Sequence, residues 1–163
     1  MAKEKIKRKW LAHFIDSSFN ATKVDYIKLG KDLEEYNIEM NPSSDSKTNI
    51  WGETSTVVSG YDPSSSVDTY YAYEDEPLYK HLEKCINERE TGSGLESTVV
   101  DVLLNSSGEV EWAYKEDVIV IPQSIGGDNS GVNIPFEIHY NGNRKKGTFD
   151  LKTKSFTPTE QEG

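Results

Sequence analysis

One cysteine, two methionines, three histidines and no long apolar run mark this 163-residue sequence. A lone Cys85 cannot close an intrachain disulfide or build a thiolate metal cluster, so neither an oxidising compartment nor a zinc site is indicated. It stands beside Ile86 in a helical pattern and reads as a small buried hydrophobe. His13, His81 and His139 lie at no ligand spacing from one another and in no catalytic motif, which makes them exposed or structural. No stretch approaches eighteen apolar residues, and the basic start Lys3 to Lys9 runs into Trp10-Leu-Ala-His-Phe-Ile15, too short for the apolar part of a signal peptide. The reading is a chain that meets no membrane, whose sequons Asn20-Ala-Thr22 and Asn105-Ser-Ser107 carry nothing.

The glycines do not supply chemistry either. Gly92-Ser-Gly94 and Gly126-Gly-Asp128 lack the strand-to-helix setting and the lysine that would cradle a phosphate, so they are expected to be turns. Asp128-Asn-Ser130 offers oxygens as a calcium loop does, but no acidic ligand follows at the required place. Glu116-Asp117 are neighbours on a strand and point to opposite faces, which prevents them from converging on one sugar. No nucleophile, cofactor site or metal site emerges, and the chain is read as no enzyme with no cofactor.

Apolar residues make up only 34% of the chain and the mean hydropathy is −0.69, a thin core for this length. Trp, Tyr and Phe are nevertheless spread through most of it, which favours a domain that completes its burial by assembling with copies of itself over a disordered chain. The net charge of −10 is uneven: residues 1–31 hold eight Lys or Arg against three acids, 144–154 hold five against one, and 32–143 hold five against twenty-two. Basic ends flank an acidic body, and such a body opposes binding to a phosphate backbone.

What is present builds sheet. Ile134, Phe136, Ile138 and Tyr140 alternate with Pro135, Glu137 and His139, the pattern of a half-buried strand. Further strands are expected at 34–40, between the turn clusters Asn41-Pro-Ser-Ser44 and Tyr61-Asp-Pro-Ser-Ser-Ser66, at 67–73, 98–104 and 109–121, with a turn at Asn105-Ser-Ser-Gly108. Asn141-Gly142 is expected to close a hairpin into 147–151, and Thr153-Lys154 one more. One helix is expected over 76–91, capped by Asp75 or Glu76 with Pro77 in its first turn, Leu78, Leu82, Cys85 and Ile86 on one face, and Gly92 and Gly94 beyond its end. Residues 1–20 read as an arm that orders on a partner, anchored by Trp10, Phe14 and Ile15, and 159–163 as a flexible tail. The polar excursion 41–66 holds Ile50, Trp51, Val57 and Val58, which a free loop has no reason to expose. It is read as a projecting hairpin that docks on a neighbouring copy.

Tyr26-Ile-Lys-Leu-Gly-Lys-Asp-Leu-Glu-Glu-Tyr-Asn-Ile-Glu-Met-Asn-Pro42, Trp112 to Gln123, Gly126-Gly-Asp128 and Ile134 to Asp150 together resemble the major tail (tail tube) proteins of long-tailed bacteriophages and prophages of Firmicutes. The likeness covers roughly 20–158 and lies in the number and order of these phrases. It implies a mainly β fold, a two-sheet β-sandwich or barrel with one flanking α-helix, that forms homohexameric rings stacked into the tube through which phage DNA leaves. Implied partners are the chain itself, the tape measure, the tail terminator and baseplate or distal tail proteins, in the virion tail assembled in the host cytoplasm. DNA would pass without specific binding. Trp10, Phe14, Ile50, Trp51, Val57 and Val58 are then candidates for ring stacking and oligomerisation. Glu109, Glu111, Glu137 and Asp101 are lumen candidates, since strand alternation is expected to set Val110, Trp112 and Tyr114 on one side and Glu109 and Glu111 on the other. The alternative is a monomeric β-sandwich binding module, a carbohydrate-binding or virion decoration domain. Its mark would be exposed aromatics, with Tyr70, Tyr71, Tyr73 and Tyr79 the candidates.

Overall fold

The computed structural model describes residues 3–19 and 23–159. The longest strands lie in the middle of the main sheet and carry its densest apolar runs. These are β7 (Glu96–Leu104) and β8 (Val110–Pro122), joined by the expected turn at Asn105. Antiparallel pairing with β1 (Leu11–Asp16) and β2 (Tyr26–Lys28) on one side, and with β11 (Phe136–Tyr140), β6 (Ser64–Val67) and β3 (Ile38–Glu39) on the other, extends them into one sheet. A long hairpin, β4 (Pro42–Thr48) and β5 (Thr54–Tyr61), grows from it, and β9 (Gly126–Asp128) with β10 (Gly131–Asn133) forms a small separate one. The fold is mainly β with one α-helix, as the patterning leads one to expect, in the sandwich-like arrangement that the resemblance implies. Among the described residues no helix is long and apolar enough to cross a membrane.

Two apolar clusters cover the two faces of the sheet. Ile15, Val99, Val118, Phe136 and Ile138 point to one face, where the sheet curls and α1 (Pro77–Asn87) lays Leu78 and Leu82 into the core. Phe14, Tyr26, Val100, Val102 and Ala113 point to the other, which is covered by the hairpin of β12 (Lys145–Asp150) and β13 (Ser155–Pro158). The Phe149 ring sits 4.5 Å from Phe14 and 6.0 Å from Tyr26. Gly147 is where this hairpin crosses most tightly. A Cβ there would stand 2.6 Å from the Phe156 ring and closer still to the Thr157 carbonyl. Gly147→Ala is therefore expected to cost about 1–3 kcal/mol by overpacking, read as a lowered midpoint in thermal denaturation.

The helix ends at Asn87 rather than near 91. Arg89 takes a left-handed conformation at φ 54, and its amide and that of Glu90 donate to the Ile86 and Cys85 carbonyls, closing the last turn. Pro77 occupies the first turn as expected, but Glu76 caps through position alone, with no side-chain bond.

Several expectations are corrected. Of the arm expected over 1–20, Leu11–Asp16 is instead β1, an inner strand between β2 and β7, with Phe14 and Ile15 in the core. Phe14 is thus no oligomerisation contact. Asn141-Gly142 closes no hairpin. β11 and β12 both pair antiparallel with β8, at Val118–Pro122 and Ala113–Lys115 respectively, so they lie end to end and 141–144 is a wide bulge. There the Asn141 amide donates to the Asp117 carbonyl and the Asp117 amide to the Gly142 carbonyl, the Gly142 amide donates to Glu116, and the Arg144 guanidinium donates to Glu116 at 3.1 Å while stacking on Tyr114. The expected strand at 34–40 shrinks to Ile38–Glu39, because Tyr36 turns inward. The serines at 64–66, read as a turn, are strand instead, with Ser65 Oγ 2.7 Å from the Tyr36 hydroxyl. Pairing in the main sheet stops at Val67, and Tyr71 makes only an isolated bridge to Asn133. A bulge at Leu103/Leu104 opposite Glu111 puts Val110 on the other face from Trp112, against the simple alternation. Thr153-Lys154 closes the β12–β13 hairpin as expected, with Lys154 at φ 52. Of the expected tail 159–163, only Thr159 is described, its amide donating to the Lys146 carbonyl; 160–163, like Asn20-Ala-Thr22, lie outside the described residues.

Candidate functional site

The candidate site is the β4–β5 hairpin. Its pairing keeps the β3–β6 register from Ile38 opposite Ser65 to Pro42 opposite Tyr61, then shifts by one residue at a bulge between Ser43 and Ser44. It projects beyond the main sheet as its own two-stranded ladder, and the eight residues of β5 reach roughly 26 Å at 3.3 Å each. Serines and threonines bond across it, Ser46 to Thr56 and Thr48 to Thr54, so the ladder holds without a core. Val57 and Val58 are 64% and 50% exposed. Because neighbours on a strand point to opposite faces, both faces of the hairpin are open to solvent. At the tip Ile50 is 98% and Trp51 80% exposed. That turn is pre-organised: Asn49 Oδ1 accepts the Trp51 and Glu53 amides at 3.0 Å, and Gly52 supplies φ +79. The sequence expectation for Ile50, Trp51, Val57 and Val58 holds as to placement, with the hairpin at 42–61 instead of 41–66.

The other candidates scatter. Trp10 is half-buried in a single 3₁₀ turn, Arg8–Trp10, leading into β1. Glu109 and Glu111 are exposed at the β7–β8 turn, and Glu137 is half-exposed on β11 beside His139 at 3.2 Å. Asp101 is not a lumen residue. It is 3% exposed, accepts His13 Nδ1–H at 2.6 Å on one oxygen and the Tyr140 hydroxyl at 3.0 Å on the other. Arg8, which has no acceptor, donates to His13 Nε2 and to the Tyr36 carbonyl, both at 3.1 Å. An aspartate among the apolar residues of a strand was read as surface because its partners, 88 and 39 residues away, are invisible to local pattern. Of the tyrosines proposed for a sugar-binding face, Tyr70 is buried and only Tyr73 is exposed, so no aromatic platform forms among them.

Burial pushes the hydroxyls of Tyr36, Tyr70 and Tyr140 well above the ordinary tyrosine value of 10.0, with nearby carboxylates adding to it: Asp101 for Tyr36 and Tyr140, Glu76 for Tyr70. A raised folded value means the fold holds the neutral form. The stability this contributes is complete below pH 10 and falls as the unfolded tyrosines ionise above it. The expected result is a loss of about 1.4 kcal/mol per tyrosine per pH unit above 10, measured as denaturation midpoints between pH 9 and 11.5.

No protein-family model matches the sequence, and no curated protein matches it. Solved structures do share the fold. One is the cap that terminates the tube of the anti-feeding prophage, at 10% identity, covering 91% of this chain and 94% of that one with a TM-score of 0.56. A second is the sheath/tube terminator, in the extended state, of the extracellular contractile injection system PVC, at 10% identity, 90% and 99% coverage and a TM-score of 0.55. A third belongs to the 6-fold symmetrised baseplate of the anti-feeding prophage, at 13% identity, 90% and 97% coverage and a TM-score of 0.51. Over nearly its whole length, then, the chain has the fold of components of contractile, phage-tail-like particles.

Proposed function

We propose that this chain is a non-enzymatic structural subunit of a phage-tail-type tube, a major tail protein whose hexameric rings stack into a conduit for DNA. The observation that carries the proposal is the free hairpin with its exposed Ile50–Trp51 tip, an adhesive element on a domain whose fold recurs in tail-like particles. The thin apolar content supports completion by assembly, since pairing between copies removes exposed strand edges. Glu109, Glu111 and Glu137 remain lumen candidates, where acids would repel passing phosphates. The tape measure, tail terminator and baseplate or distal tail proteins would adjoin it in the virion tail, assembled in the host cytoplasm. A second reading, a terminator that caps such a tube, is favoured by two of the fold neighbours.

Electron microscopy of the purified protein at rising concentration and ionic strength separates these readings. Salt weakens the repulsion between copies of net charge −10, so tubes are expected to lengthen and increase with it. Single rings that never stack would identify a terminator. A compact monomer under every condition would overturn both and favour the monomeric binding module.

A further inference from the structure

The hairpin has a matching surface at the opposite end of the same molecule. β6 runs from Ser64, next to the hairpin, to Val67, which lies opposite Phe136, and Phe136 lies opposite Pro122 at the end of β8. Past Pro122, the chain 123–125 and the C-terminal end of α1 enclose a groove of about 450 Å³. Its apolar lining is Cys85, Ile86, Leu95, Ile121, Pro122 and Ile125, the last 50% exposed. On its rim stand Arg89, held in place by the left-handed turn that ends α1, and Glu90. The hairpin and the groove thus occupy opposite poles of the sheet. That is the geometry of a head-to-tail contact, which repeats without closing on itself.

The two surfaces are also complementary in chemistry. The tip presents an aliphatic and an indole side chain on a turn already fixed by Asn49, so ordering it on binding costs little. The tip is flanked by Lys47 and Glu53, and the groove by Glu90 and Arg89, one charge of each sign on each side. A groove of this size, apolar with a few charges at its edge, suits a buried aromatic anchor ringed by polar contacts.

We propose that the groove at the C-terminal end of α1 receives the Ile50–Trp51 tip of a second copy, with Glu53 against Arg89 and Lys47 against Glu90. This rests on the reading of the hairpin as the contact between stacked copies, and it adds the receiving site.

The test uses the full chain. In a Cys85→Ser background, Ile50→Cys and Ile125→Cys are combined, assembled and mildly oxidised. The proposal expects a ladder of disulfide-linked oligomers on non-reducing gels, and only dimers when the two single variants are mixed. Separately, Arg89→Glu is expected to raise the concentration needed for assembly about tenfold or more, and Glu53→Arg added to it to restore assembly. Both charge variants are on the surface, and unchanged circular dichroism establishes that they fold. If tubes form but the cysteine pair fails to link and Arg89→Glu assembles like the unaltered chain, the groove is the wrong receptor while the stacking function stands. If the unaltered chain never assembles, the stacking function falls and this inference falls with it.

Discussion

On the proposed function, excising residues 46–56 is expected to leave a folded chain that builds no tubes. Asp45 and Val57 face each other across the hairpin, so the cut ends meet and Ser44 opposite Val58 becomes the last pair. Every bond lost is internal to the hairpin, and every residue removed is exposed, so circular dichroism and the thermal midpoint are expected to stay close to those of the full chain. What disappears is the pair Ile50 and Trp51. Buried tryptophan anchors dominate interface energies, each costing on the order of 2 kcal/mol or more when truncated, and a tube needs one such contact for every subunit added. The expected outcome in electron microscopy is therefore complete loss of polymer. A shortened chain that polymerises normally would show that stacking is made elsewhere.

Asp101→Ala is expected to be strongly destabilising, far more so than changes to the exposed acids. Removing the carboxylate strands two buried donors, His13 Nδ1–H and the Tyr140 hydroxyl, and leaves the Arg8–His13 contact without its anchor. At about 1–3 kcal/mol for each of the two orphaned groups, the loss comes to roughly 2–6 kcal/mol, a large part of the stability of an ordinary domain. Glu109→Lys and Glu111→Lys, on exposed residues, are expected to stay within about 0.5 kcal/mol of the unaltered chain. Urea denaturation of the three variants measures the difference directly. Equal midpoints for all three would mean that Asp101 is dispensable to the core.

The main strands were legible because their periodicity is local: Phe136, Ile138 and Tyr140 alternate, and β7 and β8 flank an Asn105–Gly108 turn that any reader of the sequence would place. So was the helix, from Pro77 and the spacing of Leu78, Leu82 and Cys85. The hairpin was legible for another reason, since apolar residues set in a polar, turn-rich stretch have no burial within reach. Ile50 and Trp51 stand exposed at the tip of a hairpin in that stretch.

What escaped the sequence depends on contacts far along the chain. Leu11–Asp16 looked like a basic arm because its apolar run is short, and only the flanking β2 and β7 turn it into an inner strand. Asn141-Gly142 has the composition of a tight turn, yet β8 is long enough to hold both β11 and β12 on one edge, and its ladder keeps the chain straight through a bulge. Asp101 looked like surface charge until His13 and Tyr140 were brought to it. The amino-acid sequence by itself determined which segments are strands and helix, and which apolar residues have no interior to enter. Only the tertiary structure decided which strands are neighbours, which acids are buried, and that hairpin and groove lie at opposite poles. Local propensity acts over a few residues, whereas pairing and burial are settled by surfaces that meet only when the whole sheet has formed.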